Sequence, residues 1–275
     1  MTGTSLPANS SKKHQLILFF DTDIPMETPM NNNPVSASEG VLNHLPMWKR
    51  SIDLVCCLLA LPFLAVLTVV MTILTKLVAP GPVFFRQERI GCSGKRFWIY
   101  KFRTMRVGAD TNGHQDYFKQ LIGTNAPMMK LDARGDSRLI PGSKWLRASG
   151  LDELPQIINV LRREMSVVGP RPCIPGEYAA YQPWQRQRCE SMPGLTGLWQ
   201  VSGKNRTTFE EMVNLDIRYG TTKSFLMDVR IIVMTIPALL VQIYDTKFNR
   251  GSAPNVMNSI PSVSIRSAQS ASPVR

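Results

Sequence analysis

The stretch WKRSIDLVCCLLALPFLAVLTVVMTILTKL (48–77) decides the architecture. Leu54 to Thr75 is 22 residues without a charge, within the roughly 17–25 residues that can cross a bilayer as one helix. Pro62 stands inside this run. A proline removes a backbone hydrogen bond and kinks or breaks a helix. The arms on either side are about 8 and 13 residues, roughly 12 and 20 Å at the helical rise. Neither crosses a hydrocarbon core of about 30 Å. Charge points the same way. Lys49 and Arg50 precede the run. Lys76, Arg86, Arg89, Lys95, Arg96, Lys101, Arg103 and Arg106 follow it, opposed only by Glu88 before Asp110. Cationic flanks prefer the cytoplasm. With both ends positive, a re-entrant helix-break-helix anchor suits the sequence better than a span, although proline also occurs in spanning helices.

Outward from the anchor, the chain has 275 residues, enough for one or two domains with a core. Its formal net charge of +12 favours anionic partners: nucleic acid, anionic lipid or phosphorylated substrates. Five cysteines, no CxxC and three histidines argue against a zinc site. An odd count with Cys56 and Cys57 in the apolar run reads as reduced thiols at a cytosolic face.

Residues 1–45 are rich in Asn, Pro, Ser and Thr and read as a disordered arm with one short apolar patch, QLILFF (15–20). The tail 251–275 has the same character. The anchor takes 46–78 and a catalytic domain on the cytosolic face takes 79–250. Within that domain, VFF and FWIYKF flank CSGK and predict a β-hairpin. Residues 107–143 carry no defined pattern. Helices are expected over 144–165, 173–190 and 209–219. DVRIIVMTIPALLVQIYD (228–245) is apolar with charged flanks, a core helix or one lying in the bilayer interface, the latter favoured. The fold class is therefore α+β, predominantly helical: a monotopic membrane protein with a re-entrant anchor, amphipathic surface helices and a small β-hairpin.

The chemistry centres on SGLDELPQIINVL (149–161). Ser149 with Asp152 three residues on resembles a capping box with Asp in place of Glu. Leu151, Leu154, Ile157, Ile158 and Leu161 form one helical stripe. Asp152 and Glu153 would then be ordinary acids in a first turn, stabilised by the helix dipole. The same place suits catalysis. A carboxylate near a helix start and basic groups is held ionised at lowered pKa, and an aspartate can act as a nucleophile. Glu153 could hold a divalent metal, since Mg²⁺ is commonly bound by one or two carboxylates plus substrate phosphates. Arg147 and Arg171 are either phosphate clamps or solvated surface charges.

KFRTM (101–105), LRASGLDELPQIINVLRREMSVVGPRP (146–172) and MPGLTGLWQVSGKNR (192–206) together resemble the bacterial sugar transferase family, monotopic polyprenyl-phosphate phosphoglycosyl transferases, over about 48–245. The resemblance implies transfer of a sugar-1-phosphate from a UDP-sugar to polyprenyl (undecaprenyl) phosphate with release of UMP. This step starts exopolysaccharide, capsule or glycoconjugate synthesis at the cytoplasmic face of the bacterial inner membrane. By match, Asp152 is the nucleophile that forms a covalent phosphosugar intermediate, and Glu153 is its support and a ligand of Mg²⁺. Lys101, Arg147, Arg171 and Asp228 match active-site positions, Lys204 matches a phosphate-binding arginine position, and Pro62 matches the break of the membrane hairpin. The implied partners are UDP-sugar, polyprenyl phosphate and anionic membrane lipid, with no nucleic acid and room for a homodimer.

The chain departs from that pattern at Leu61, where relatives carry Ser before the proline. It departs again at GKN (203–205), where they carry GRN, and at DIRYGTTKS (216–224), where they carry an aromatic- and acid-containing run. The competing expectation from another class is a non-catalytic, basic membrane-surface adaptor derived from the same family. The intact Asp152–Glu153 pair speaks against it.

Overall fold

A computed structural model describes residues 45–109, 138–203 and 207–248. The N-terminal arm, the tail and Lys204 lie outside the described residues. The chain begins with α1 (Met47–Val78), a single run of helix through Pro62; two separate arms are not shown. One stripe of α1 is buried along its whole length. It consists of Lys49, Asp53, Cys57, Leu64, Met71 and Thr75, with Ala60 and Leu67 packed beside them. That spacing is the face of a 3.6-residue helix. The opposite face is apolar and exposed, with Leu58, Leu59, Phe63, Val66, Val69 and Leu77 among its residues.

Both ends of α1 are tied to the same body. At its start, Lys49 donates to Asp228 Oδ2 at 2.7 Å, to the Tyr219 hydroxyl at 2.8 Å and to the Val168 carbonyl at 2.9 Å. Arg50 caps carbonyls of Val160 and Leu161, and Asp53 accepts from Ser166 Oγ and Val167 N. Just past its end, Arg103 donates to the carbonyls of Ala79 and Pro80. Lys49 is thus not the solvated flanking charge its position implies. It is 2% exposed and ion-paired.

The expected hairpin forms from β1 (Phe84–Ile90) and β2 (Arg96–Phe102), antiparallel with Phe85 opposite Lys101 and Arg89 opposite Phe97. Side chains alternate across a strand, so Phe97, Ile99 and Lys101 share the inward face. The helix expected over 144–165 is interrupted. It divides into α2 (Ser143–Ser149), a 3₁₀ segment Leu151–Gln156 and α3 (Ile157–Leu161). Gly150 sits between the first two at φ +72°, a left-handed position that ends helices and that glycine adopts without penalty. Ser149 is therefore not an N-cap. It lies in the last turn of α2 and its hydroxyl donates to the Leu146 carbonyl.

A two-stranded parallel pair then follows, which the sequence pattern did not announce: β3 (Ser166–Val168) and β4 (Gly194–Thr196). Between them, the expected 173–190 helix is broken into α4 (Pro175–Ala180), α5 (Pro183–Arg186) and a 3₁₀ turn Gln187–Glu190. Pro175 and Pro183 start the two helices because a first helical position needs no N–H. After β4 come α6 (Leu198–Val201), α7 (Phe209–Thr222) and α8 (Phe225–Phe248). A reciprocal box caps α7: Thr208 Oγ1 accepts from Glu211 N, and Glu211 Oε2 accepts from Thr208 N. The described fold is mostly helical with two small sheets. α1 and α8 are both long and apolar enough to cross a membrane.

Candidate active site

The site forms where β2, the 3₁₀ segment and the GPRP turn (169–172) meet. β2 presents Lys101 from its inward face, and Lys101 Nζ bonds Glu153 Oε1 at 2.8 Å. The same oxygen lies 3.6 Å from Arg171 Nη1. Tight backbone contact positions the GPRP turn. A Cβ on Gly169 would overlap the Met192 carbonyl, one on Gly194 would overlap Gly169 N, and one on Gly197 would overlap the Gly169 carbonyl. Glycine at these three positions lets the segments bearing β3 and β4 approach. Three bonds then hold the turn's exit: Arg188 to the Arg171 carbonyl at 3.1 Å, Arg89 to the Pro172 carbonyl at 3.0 Å and Ile90 N to the Cys173 carbonyl at 2.9 Å. Arg188 is itself buried, pairing with Asp216 at 2.5 Å and donating to the Tyr181 hydroxyl at 2.8 Å.

A small, open cleft lies here, lined by Arg89, Lys101, Glu153, Gln156, Arg171 and Gln200 among others. Three cations and one carboxylate thus face one small volume. Asp152 adjoins it and is 8% exposed. Burial pushes its carboxyl above the usual range, and neighbouring Glu153 adds to the rise; Lys101 and Arg147 oppose it. This corrects the sequence expectation of a lowered pKa. The 3₁₀ turn buries the acid, and desolvation outweighs the positive neighbours. Burial likewise lowers the pKa of Lys101, against the pull of Glu153. Arg89 is brought down to about 10 by burial, then by Arg171. Asp152 Oδ1 is buried and has no hydrogen-bond partner among the described residues.

The structure therefore brings Asp152, Glu153, Lys101 and Arg171 together. Arg147 ends α2 close enough to act on the charge of Asp152. α8 braces that helix end, where Gln242 donates to the carbonyls of Arg147 and Ala148. Asp228 is not brought into the cleft. It is 1% exposed and bonded to Lys49 and Tyr219. Pro62 lies in α1, with the buried stripe passing beside it. Arg89, Gln156 and Gln200 were not singled out from the sequence. For Arg89 a signal exists: strand alternation puts it on the inward face with Gln87, where a cation is unusual.

Among the described residues, no group of three or more His, Cys, Asp or Glu side chains could hold a metal ion. Two carboxylates, Asp152 and Glu153, are what the site offers. That donor set fits Mg²⁺, which takes one or two carboxylates and completes its shell with water and substrate phosphate. The unpartnered Oδ1 of Asp152 supports the fit.

Comparison with known proteins covers the stretch of chain that carries these residues. A family model described as bacterial sugar transferase matches residues 44–242. The galactosyl transferase CpsE of Streptococcus agalactiae is 41% identical over 165 residues, covering 58% of this chain and 35% of that protein. The exopolysaccharide production protein ExoY of Sinorhizobium fredii is 38% identical over 192 residues, covering 70% of this chain and 84% of ExoY. A UDP-glucose:undecaprenyl-phosphate glucose-1-phosphate transferase of Caulobacter vibrioides is 37% identical over 200 residues, covering 70% of this chain and 69% of that protein. The chain thus spans about a third of the Streptococcus relative and most of the other two.

Proposed function

Because this chain belongs to the bacterial sugar transferase family, we propose that it transfers a sugar-1-phosphate from a UDP-sugar to undecaprenyl phosphate, releasing UMP, as a first step of exopolysaccharide or glycoconjugate synthesis. The name of the Caulobacter relative supports the donor class and the lipid acceptor, and that of ExoY supports the product class.

The observation that carries the reading is the buried Asp152 carboxylate, one oxygen of which has no hydrogen-bond partner, beside a cleft lined by Arg89, Lys101 and Arg171. An Asp152 oxygen attacks the sugar-bearing phosphorus. A P–O bond to the aspartate forms, the bond to UMP breaks, and UMP leaves with the electron pair. A phosphate oxygen of the lipid then attacks the same phosphorus, and the aspartyl bond breaks to restore Asp152. Both steps bring anions together, so the barrier is set by charge neutralisation. Lys101 and Arg171 hold phosphate oxygens, Arg147 steadies the Asp152 charge, and Glu153 fixes Lys101. When bound, Mg²⁺ would supply further neutralisation, with Glu153 and Asp152 to hold it. The covalent intermediate lets one small cleft serve two bulky reactants in turn.

Attachment of both ends of α1 to one body supports a monotopic placement, and the cationic flanks of α1 support the cytoplasmic leaflet. The +12 charge would draw anionic lipid and nucleotide sugar to the same surface.

The test is UMP release by the detergent-held protein with Mg²⁺ and a panel of UDP-sugars, with and without undecaprenyl phosphate, beside Asp152→Asn. Lipid-dependent release with at least one sugar, absent in the variant, is expected. Full activity in Asp152→Asn would refute the assigned nucleophile.

A further inference from the structure

Among the described residues, seven buried side-chain nitrogen and oxygen atoms have no hydrogen-bond partner. Four of them belong to Asp152, Arg89, Gln156 and Gln200, which all lie at or beside the cleft. Buried polar atoms are ordinarily paired. A cluster of unpaired ones in a single cleft is therefore a set of bonds left for a ligand.

The chemistry of the three residues other than Asp152 narrows that ligand. Gln200 Nε2 donates to the Leu195 carbonyl at 3.2 Å, which orients the amide and leaves Oε1 as an unpartnered acceptor. Gln156 Nε2 and Arg89 Nε are unpartnered donors. A phosphate oxygen only accepts, so it would meet Gln200 Oε1 unfavourably. A hydroxyl both donates and accepts, and it can give its proton to Gln200 while accepting from Gln156 or Arg89. Gln156 is 2% and Arg89 7% exposed. Their bonds to a ligand would form out of water, where they count most. The terminal amide torsion of glutamine is soft, so small rotations bring both amides to a guest.

We infer that Gln156 and Gln200, with Arg89 beside them, form a subsite for the hydroxyl groups of a sugar ring, next to the phosphate-binding cations Lys101 and Arg171. The subsite rests on the transferase reading for its choice of a nucleotide sugar as guest. The ring is either the transferred hexose or the ribose of the nucleotide, and both offer the same hydroxyl chemistry. Arg89 also holds the Pro172 carbonyl, so the two glutamines are the cleaner probes.

The experiment is calorimetric binding of UDP-glucose, UDP-galactose, UDP-N-acetylglucosamine and UMP to the full chain in detergent, for wild type, Gln156→Met and Gln200→Met. Methionine keeps the length and removes the polar atoms. Losing one such bond should weaken UDP-sugar binding by about tenfold. Gln156→Met removes an unpartnered donor, so its melting temperature should not fall. Weakened UDP-sugar with unchanged UMP places the transferred hexose in the subsite, and equal weakening of both places the ribose there. Unchanged affinities in Gln156→Met, or no binding of any of the four ligands to wild type, overturn the subsite. UMP release with lipid is measured on the same preparations. Turnover with insensitive binding removes the subsite and leaves the transferase standing; sensitive binding without turnover does the reverse.

Discussion

At the residue scale, the proposed role of Asp152 sets chemistry against stability. A nucleophile must be ionised, yet Asp152 is buried beside another carboxylate, with one oxygen unpartnered. Because its pKa is raised, activity should fail on the acid side at a pH above that of a free aspartate, as read from the pH profile of kcat/KM. Asp152→Asn should abolish UMP release and also raise the melting temperature at neutral pH, a gain of about 1 kcal/mol. Burial penalises only the charged form. The gain should therefore be present above the folded-state pKa and shrink as pH falls through it. A second residue-scale prediction concerns Lys49, whose partner Asp228 is 1% exposed. Lys49→Met leaves that carboxylate buried without a counter-charge, held only by the Tyr219 hydroxyl, a loss of about 3–5 kcal/mol. Adding Asp228→Leu should recover much of the loss, measured by thermal melting in detergent.

At the element scale, the GPRP turn depends on β3 and β4 lying closer than any side chain permits. Gly194→Ala would set a methyl group into Gly169, so a loss of about 3 kcal/mol or more is expected. Circular dichroism would show it as a lowered melting temperature. This pair of strands was also the part of the fold least legible beforehand. Three-residue strands are too short for alternation to appear, and only the glycine spacing of GPRP and PGLTG hints at the contact. The hairpin was legible because the aromatic runs VFF and FWIYKF flank CSGK, and α7 because its capping box and apolar stripe agree. Residues 144–165 read as one helix because Leu151, Leu154, Ile157, Ile158 and Leu161 keep helical spacing even though Gly150 resets the backbone. In the site, the acid pair, Lys101 and Arg171 could be named from motif. Arg89 left a signal in the strand alternation, but Gln156 and Gln200 left none, because they stand out only through the burial of atoms that pattern does not reveal.

At the scale of the whole molecule, the buried stripe of α1 and its bare apolar face give it two partners, the domain and something apolar outside it. Val55, Leu58, Phe63, Val66 and Ile73 are all more than half exposed, and burying each such side chain is worth about 1.5–3 kcal/mol. α8 adds Leu226, Val233, Ile236 and Leu240 on its own exposed side. Membrane attachment should therefore survive 1 M salt, about 3 Å of screening length, in a sedimentation assay; release would mean the charge alone holds it. For a re-entrant anchor, single cysteines placed at Pro46 and at Val83 in a background without native cysteines should react with an impermeant maleimide only after the inner membrane is opened. Labelling of either one in intact spheroplasts would mean that α1 spans.

The Lys49–Asp228 tie joins residues 179 positions apart in the chain. At about 5–20 residues per second of synthesis, Lys49 waits roughly 10–40 s on the ribosome before its partner exists. The greasy helix it leads can meet the membrane well within that time, while β3, whose Val168 carbonyl also awaits Lys49, is still unmade. Delivery thus precedes closure. The tie that fixes the start of α1 to the domain closes only when α8 emerges.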